Sequence, residues 1–447
     1  MQQFIFWSVW LVIPLIWEII TGIVSGIFTA SGYRKNKHIK LDFMPEVTVI
    51  VPVFNSVNTI GKCLDSIAGQ NYPNSRIEII LVNNGKEDGS FEVFQGFQRA
   101  HPNMKIRWLN SGRGKSKALN KGIFSSSARY LINIDSDGWL DKDAIRSVAA
   151  KFESDKKINC MTGVVLIDPV CIEQSKSKGM KLIQKCELFE YTETFLVGRS
   201  FQSMTDSIFT MSGAFSCFRK EALLKTQLYN SDTIGEDTHM TFQIRRFAGG
   251  KIKLCSNAFL YTDPIESIDK LYIQRQRWQR GELEVASLFK EMHTGSIKDY
   301  FKKFSMRIIV SDHTLAFPRF IWFFALIYLF FINYPLQLLI GANLLLYTAY
   351  LLNSFLYLAV SERYLKGQNS VRRYLRKHWY ICFVMPLYRF VLYWIRIAGI
   401  INSLSSKAQW NLPTLTGEFH ILKTSVRKNT IGRMAFLEEF KKFINKG

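Results

Sequence analysis

Residues 130–138 read Tyr-Leu-Ile-Asn-Ile-Asp-Ser-Asp-Gly, an apolar strand-forming run that ends in Asp135 and Asp137, with Gly138 supplying a turn. Two carboxylates two residues apart at the carboxyl end of a buried strand stand where open α/β sheets place their ligands. Oxygen donors of this kind suit a hard divalent cation, Mg²⁺ or Mn²⁺, held together with a diphosphate. The same residues also fit a plain turn, or an Asp137 that caps a helix beginning near Asp141. A D-x-D pair alone does not separate these readings.

The elements needed to position that pair are present upstream. Residues 47–53 form a β-branched strand ending in Pro52-Val53-Phe54-Asn55, followed by a helix over 59–69 and a second apolar strand over 77–83. Helices over 91–100 and 115–126 flank a short strand at 105–109, and 130–134 is the next strand. This alternation predicts a mostly parallel sheet covered on both faces, with a nucleotide at its carboxyl edge. No G-x-G-x-x-G follows the first strand, which argues against a dinucleotide-binding Rossmann site. Further on, 159–166 reads as a strand, 172–202 as helix and 208–218 as an apolar, glycine-containing strand. A helix opens at 233–237 and runs to about 247, a strand lies around 252–255, and a helix spans 267–280.

The ends of the chain differ in kind. Residues 4–30 are apolar with Glu18 the only charge, longer than the ~20 residues needed to span a bilayer and lacking the basic start and A-x-A site of a signal peptide. Arg34, Lys35, Lys37 and Lys40 follow, so the positive-inside rule puts the next domain in the cytoplasm. Residues 297–309 mix Lys, Arg and aromatics like an interfacial helix. Apolar runs at 317–332 and 336–360 are broken by Asn333-Tyr334-Pro335, and the basic stretch 362–378 is expected in the cytoplasm. Residues 379–404 contain Pro386, Arg389 and Arg396, the two arginines on one helical face. That segment either crosses the membrane or bends into the interface.

The 58 Lys+Arg against 36 Asp+Glu give a formal charge of +22. Because the charge flanks apolar segments, it points to anionic phospholipid rather than nucleic acid, for which no binding motif is present. Cys63, Cys160, Cys171, Cys186, Cys217, Cys255 and Cys382 show no C-x-x-C pairing and fit reduced thiols on a cytoplasmic domain. The expected division is an N-terminal transmembrane helix (1–32), a cytoplasmic catalytic domain (33–285), interfacial and transmembrane helices (286–404) and a basic cytoplasmic tail (405–447).

Four motifs occur in order: Pro52-Val53-Phe54-Asn55, Asp135-Ser136-Asp137, Gly235-Glu236-Asp237 and Gln274-x-x-Arg277-Trp278. Together they resemble the membrane-embedded family 2 glycosyltransferases of the cellulose, hyaluronan and poly-N-acetylglucosamine synthase type. More narrowly, the run 233–284 and the N-terminal apolar segment resemble the glycosyltransferases associated with exosortase G in Gram-positive bacteria. The resemblance implies an α/β GT-A (nucleotide-diphospho-sugar transferase) domain with flanking transmembrane and interfacial helices. The enzyme it implies is an inverting, metal-dependent hexosyltransferase of the bacterial plasma membrane. It would move a sugar from a nucleotide-diphosphate donor, UDP-linked by default, to a growing surface polysaccharide at the cytoplasmic face.

By that resemblance Asp237 is the general base and Glu236 its neighbour that tunes it or contacts the acceptor. Asp135 and Asp137 hold the metal, and Pro52, Asn55, Asn83, Lys115, Asp135, Gln274, Arg277 and Trp278 bind donor or diphosphate. The chemistry agrees: a base on the acceptor and positive charge on the leaving group lower the barrier most directly. Gln274, Arg277 and Trp278 share one helix face. Arg277 suits a diphosphate in fork geometry, and Trp278 suits stacking on a sugar ring. Plainer readings are an N-cap at Asp237, a solvated loop around Lys115 and a membrane-anchoring Arg/Trp helix. One departure stands out: the Asp pair usual after the second strand is replaced by Asn83-Asn84, with Asp88 just beyond. Asn still hydrogen-bonds uracil or ribose, but without the charges the nucleotide's identity is open. Competing functions are single-sugar transfer to a polyprenyl phosphate, an inactive membrane scaffold and a nucleotidyltransferase. A membrane partner subunit fits the small number of apolar segments.

Overall fold

A computed structural model describes residues 19–32, 41, 43–231, 233–289, 316–405 and 414–418. Glu18, the basic patch Arg34–Lys40, the interfacial stretch 297–309 and most of the tail lie outside the described residues.

Val47–Val53 (β1), Ile77–Asn83 (β2), Lys105–Asn110 (β3) and Tyr130–Ile134 (β4) form parallel neighbours in the order β3-β2-β1-β4. Every residue of β1 and β4 is buried, each Val or Ile contributing about 1.5–3 kcal/mol, so these strands read as continuous apolar runs rather than alternating ones. Pro52 is tolerated in β1 because pairing to β4 ends at Ile50, so its missing N–H falls where the strand has one neighbour. Ile60–Ala68 (α1), Ser90–Ala100 (α2) and Lys115–Ser125 (α3) cover this half.

The second half corrects the expectation of a mostly parallel sheet. Gly138–Leu140 (β5), Ile158–Ile167 (β6), Phe215–Arg219 (β7) and Lys251–Thr262 (β8) extend it to eight strands, β3-β2-β1-β4-β7-β6-β8-β5. β7 runs antiparallel to both β4 and β6, and β5 antiparallel to β8. The apolar stretch 208–218 is not one strand: β7 begins only at Phe215, and the preceding residues form a bridged turn, Ser212 to Phe215. Likewise 172–202 divides into Pro169–Gln174 (α4), Lys178–Tyr191 (α5), a π-helical turn Thr192–Gly198 and Arg199–Met204 (α6). The helix expected to open at 233–237 is Glu236–Gln243 (α7) with a π turn to Ala248. The helix expected at 267–280 extends over Ile268–Leu288 (α8).

α7 and α8 touch through two glycines. A Cβ on Gly235 would lie 3.0 Å from the Gly281 backbone, and one on Gly281 would lie 2.8 Å from Gly235 Cα.

The apolar helices are Thr21–Gly32 (α9, at the N-terminal end), Ala316–Phe331 (α10) and Leu336–Tyr364 (α11), then amphipathic Asn369–Lys377 (α12) and Ile381–Ser405 (α13). Among the described residues, Leu336–Gly367 and Ile381–Asn402 are long and apolar enough to cross a membrane. α13 nevertheless packs on the α/β unit along much of its length. Tyr388 and Arg389 reach Glu190 and Glu193, Arg396 Nε donates to Gln279, and Asn402 donates to Gln276. Arg389 thus pairs with the π turn and Arg396 with α8. All seven cysteines are free thiols.

Candidate active site

β4 delivers Asp135 and Asp137 to the carboxyl edge of the sheet. Asp135 N donates to Ala214 O (3.2 Å), Gly138 N closes a turn on Asp135 O (3.1 Å), and Ser136 Oγ meets Ser56 Oγ at 2.7 Å. The turn is therefore real, but it carries both carboxylates into the site. Asp137 caps no helix: the helix beyond it starts at Ala144 with Asp143 in the cap position. Burial, then the charge of Asp135, pushes Asp137 up to about 6 against the opposing pull of Lys115.

Lys115, the first residue of α3, enters this cluster rather than solvent. Its Nζ lies 2.6 Å from Asp135 Oδ1 and 3.4 Å from Glu236 Oε1 and donates to Gly213 O at 3.4 Å. Burial works against its charge, but Asp135 and Glu236 outweigh it and hold the ammonium above the usual lysine range. Glu236 is 8% exposed, and burial, with Asp237 adding, raises its carboxyl while Lys115 opposes.

Asp237 sits in the first turn of α7, whose cap position is Gly235, so the N-cap reading fails. Its Oδ1 accepts from Thr238 N (2.7 Å) and its Oδ2 from Gly213 N (3.1 Å). The loop before β7 is stitched to α7 by Thr241 Oγ1, which accepts from Met211 N (3.0 Å) and donates to Asp237 O (2.7 Å). A Cβ at Gly213 would meet Asp237 Oδ2 at 3.2 Å, so glycine permits this approach.

On α8, Gln274 Nε2 donates to Tyr191 OH at 3.4 Å. Trp278 is 41% exposed, with its ring 6.0 Å from Phe195 and 6.3 Å from Tyr191. Arg277 is half-buried beside it. Pro52 is buried in β1, and Asn55 is exposed with φ 52° at the turn that follows. Asn83 Oδ1 accepts from Gly85 N at 3.0 Å. Asn84, with its amide turned to satisfy both neighbours, donates to Val53 O (2.9 Å) and accepts from Lys115 N (3.3 Å). One Asn of the departed pair thus ties β1 to the lysine loop.

Lys115, Asp135, Asp137, Glu236 and Asp237 therefore converge, while Gln274 and Trp278 face Tyr191 and Phe195 on α5 and its π turn. Residues unforeseen from the sequence are Ser56, Ser136, Gly213, Arg275, Glu190 and Glu193. Ser136 and Arg275 carried a local signal, lying inside the Asp135–Asp137 and Gln274–Trp278 runs. Among the described residues, no three His, Cys, Asp or Glu side chains are arranged to hold a metal ion.

A family model, glycosyl transferase family 2, matches residues 48–226. A poly-beta-1,6-N-acetyl-D-glucosamine synthase of Staphylococcus epidermidis is 30% identical over 329 residues, 73% of this chain and 72% of that protein. The enzyme of the same description from Staphylococcus aureus is 26% identical over 302 residues, 66% of this chain and 68% of its own. A mannosyltransferase from Pyrobaculum calidifontis, solved with GDP-Man and Mn²⁺, aligns over 88% of this chain and 99% of its own. Its TM-score is 0.52 at 14% identity, and it shares the GT-A architecture. The identity and coverage of the sequence relatives reach beyond shared architecture: the chain belongs to glycosyl transferase family 2.

Proposed function

We propose that the protein transfers a sugar, with inversion, from a nucleotide-diphosphate donor to a growing surface polysaccharide at the cytoplasmic membrane face. The observation that carries this reading is the meeting of Asp135, Lys115, Glu236 and Asp237 at one sheet edge. Asp237 takes the proton of the acceptor hydroxyl, whose oxygen attacks the anomeric carbon as the bond to the diphosphate breaks. Glu236, buried and sharing Lys115, keeps a second carboxylate beside the base. Lys115, Arg277 and Gln274 hold the departing diphosphate, and Trp278 offers its ring to the acceptor sugar. Donors making a polymer of N-acetylglucosamine in the relatives support an N-acetylhexosamine, with uridine the default nucleotide.

Asp135 and Asp137 fit a metal ion supported by only two protein carboxylates, the rest of its shell coming from diphosphate and water, as Mg²⁺ and Mn²⁺ accept. The ammonium already held at Asp135 marks the place as one that takes positive charge. When bound, the ion supplies Lewis-acid charge to the leaving diphosphate.

The apolar helices support a multi-pass plasma-membrane protein with its α/β domain in the cytoplasm. α13 is assigned to the interface, because a helix packed along a cytoplasmic domain does not cross away from it. An exosortase-linked pathway and a membrane partner subunit complete this reading. A second reading, transfer to a polyprenyl phosphate, is favoured by one feature. A cavity of about 1310 Å³ runs from Trp278 and Glu282 to Leu339, Ile340 and Leu344 between α10, α11 and α13, a wall suited to an apolar chain.

Purified protein screened against nucleotide sugars, with membranes and labelled donor, tests both. Polymer formed from a UDP-N-acetylhexosamine supports the first reading. A solely solvent-extractable product supports the second, and no turnover of any nucleotide sugar sinks both.

A further inference from the structure

The π turn Thr192–Gly198 hands the chain to α6, whose first residue, Arg199, is only 5% exposed. Single π turns of this kind recur at functional sites. Arg199 Nη1 donates to Thr210 O, and its guanidinium carbon lies 5.7 Å from the Phe195 ring centroid. Thr210 Oγ1 meets Thr238 Oγ1 at 2.8 Å. Thr238 in turn donates to Asp237 Oδ1 from its backbone N at 2.7 Å and from its hydroxyl at 3.4 Å. Two threonines thus join the guanidinium to one oxygen of the proposed base.

Among the described residues, Arg199 is bonded to a carbonyl and to no carboxylate. A buried cation without a contacting anion is costly for a fold to keep. What answers it is charge at longer range. Burial pushes the guanidinium down to about 10, while Asp237, then Glu282, pull the other way. Lys115 on α3 also faces Asp237, but Asp135 and Glu236 hold it first, and in the proposed reaction it goes to the diphosphate. The other charges of the cluster are acidic: Glu236 on α7, Asp135 after β4 and Glu282 on α8. A carboxylate among carboxylates takes up a proton more readily unless a cation stays with it.

We propose that Arg199 is the counter-charge of Asp237, a positioning residue that keeps the base a carboxylate once Lys115 is engaged by diphosphate. Thr210 and Thr238 fix the Oδ1 edge on which it acts. This rests on Asp237 being the base, as proposed above.

The test uses the full chain in detergent, UDP-N-acetylglucosamine as donor and a short β-1,6-linked N-acetylglucosamine oligosaccharide as acceptor. Transfer kcat/KM is measured between about pH 5 and 9 with saturating Mn²⁺ at every pH. Arg199→Gln keeps an N–H for Thr210 O but loses the charge. Its acid limb is expected about one pH unit above that of wild type. Above the limb its rate returns to within about threefold of wild type, with calorimetric UDP affinity unchanged. Arg199→Lys keeps the charge and leaves the limb within about 0.3 unit of wild type.

An equal loss at every pH in Arg199→Gln, with the limb unmoved, overturns the proposal. So does a limb shifted equally in Arg199→Lys and Arg199→Gln. Arg199→Met stands in if Arg199→Gln fails to bind UDP; loss of UDP binding in both marks a folding residue and refutes the counter-charge. Asp237→Asn separates the two readings. An acid limb that survives in Asp237→Asn refutes the base and the proposal with it. A limb lost there but unmoved in Arg199→Gln refutes the counter-charge alone.

Discussion

Lys115 Nζ and Asp135 Oδ1 stand 2.6 Å apart, joining the first residue of one helix to the last turn of a strand and placing a cation among four carboxylates. Replacing Lys115 by Met leaves Asp135, Asp137, Glu236 and Asp237 uncompensated. Mn²⁺ is then expected to bind the nucleotide-free protein more tightly, while UDP-sugar affinity drops by about tenfold or more. Calorimetric titration of each ligand checks the opposite signs; a parallel change in both contradicts this role.

Asp237→Asn keeps the shape of the side chain and an acceptor for one of the two backbone donors, Gly213 N or Thr238 N. Transfer should fall by about 10²–10⁴-fold with donor affinity nearly unchanged. Turnover at the wild-type rate would remove Asp237 from the role of base.

Asp137 titrates near 6 because it is buried beside Asp135, so the protein without metal holds this proton more tightly than an ordinary Asp. A divalent ion must displace it. The Mn²⁺ concentration for half-maximal activity is therefore expected to rise about tenfold per pH unit below about 6 and to level off above it. A flat dependence between about pH 5 and 7.5 excludes Asp137 as a ligand.

Glu187, 1% exposed, is pushed up to about 7 by burial, with the Ile265 N–H and Arg275 pulling the other way. The fold thus prefers the neutral carboxyl. Its contribution is complete below the ordinary value of 4.5 and is lost as pH rises through about 7. Glu187→Gln retains an acceptor for Ile265 N, which donates at 2.9 Å, and avoids the buried charge. The variant should melt higher than wild type at about pH 8, by at most about 3 kcal/mol, with the gap closing toward about pH 4.5. Thermal denaturation at the two pH values reads this directly.

What could be read from the sequence was what short spacing determines. Asp135-Ser136-Asp137 after an apolar run, Glu236-Asp237 opening a helix, and Gln274, Arg277 and Trp278 on one face all lie where their local patterns predicted. What escaped depended on distant pairing. β7 lies between β4 and β6 and reverses direction, a choice no local pattern encodes. Residues 208–214 are as apolar as a strand, yet they turn so that Gly213 N reaches Asp237. The π turn that breaks the expected 172–202 helix carries Glu193 to Arg389, 196 residues away. Asn84 looked like a lost acidic ligand but serves as a clamp on the lysine loop.

The contact of Gly235 with Gly281 makes the separation of Asp237, the proposed base, from Trp278, the proposed acceptor platform, a calibrated length, set by two missing methyl groups. Alanine at either position is a wedge of known thickness. Driving the helices apart by about 1 Å would cost roughly 10²-fold in transfer while water, which needs no stacking platform, is still activated. On the proposed mechanism, preference for sugar over water becomes a matter of gauge: a methyl group at that crossing would turn a transferase toward hydrolysis without touching any residue proposed to react.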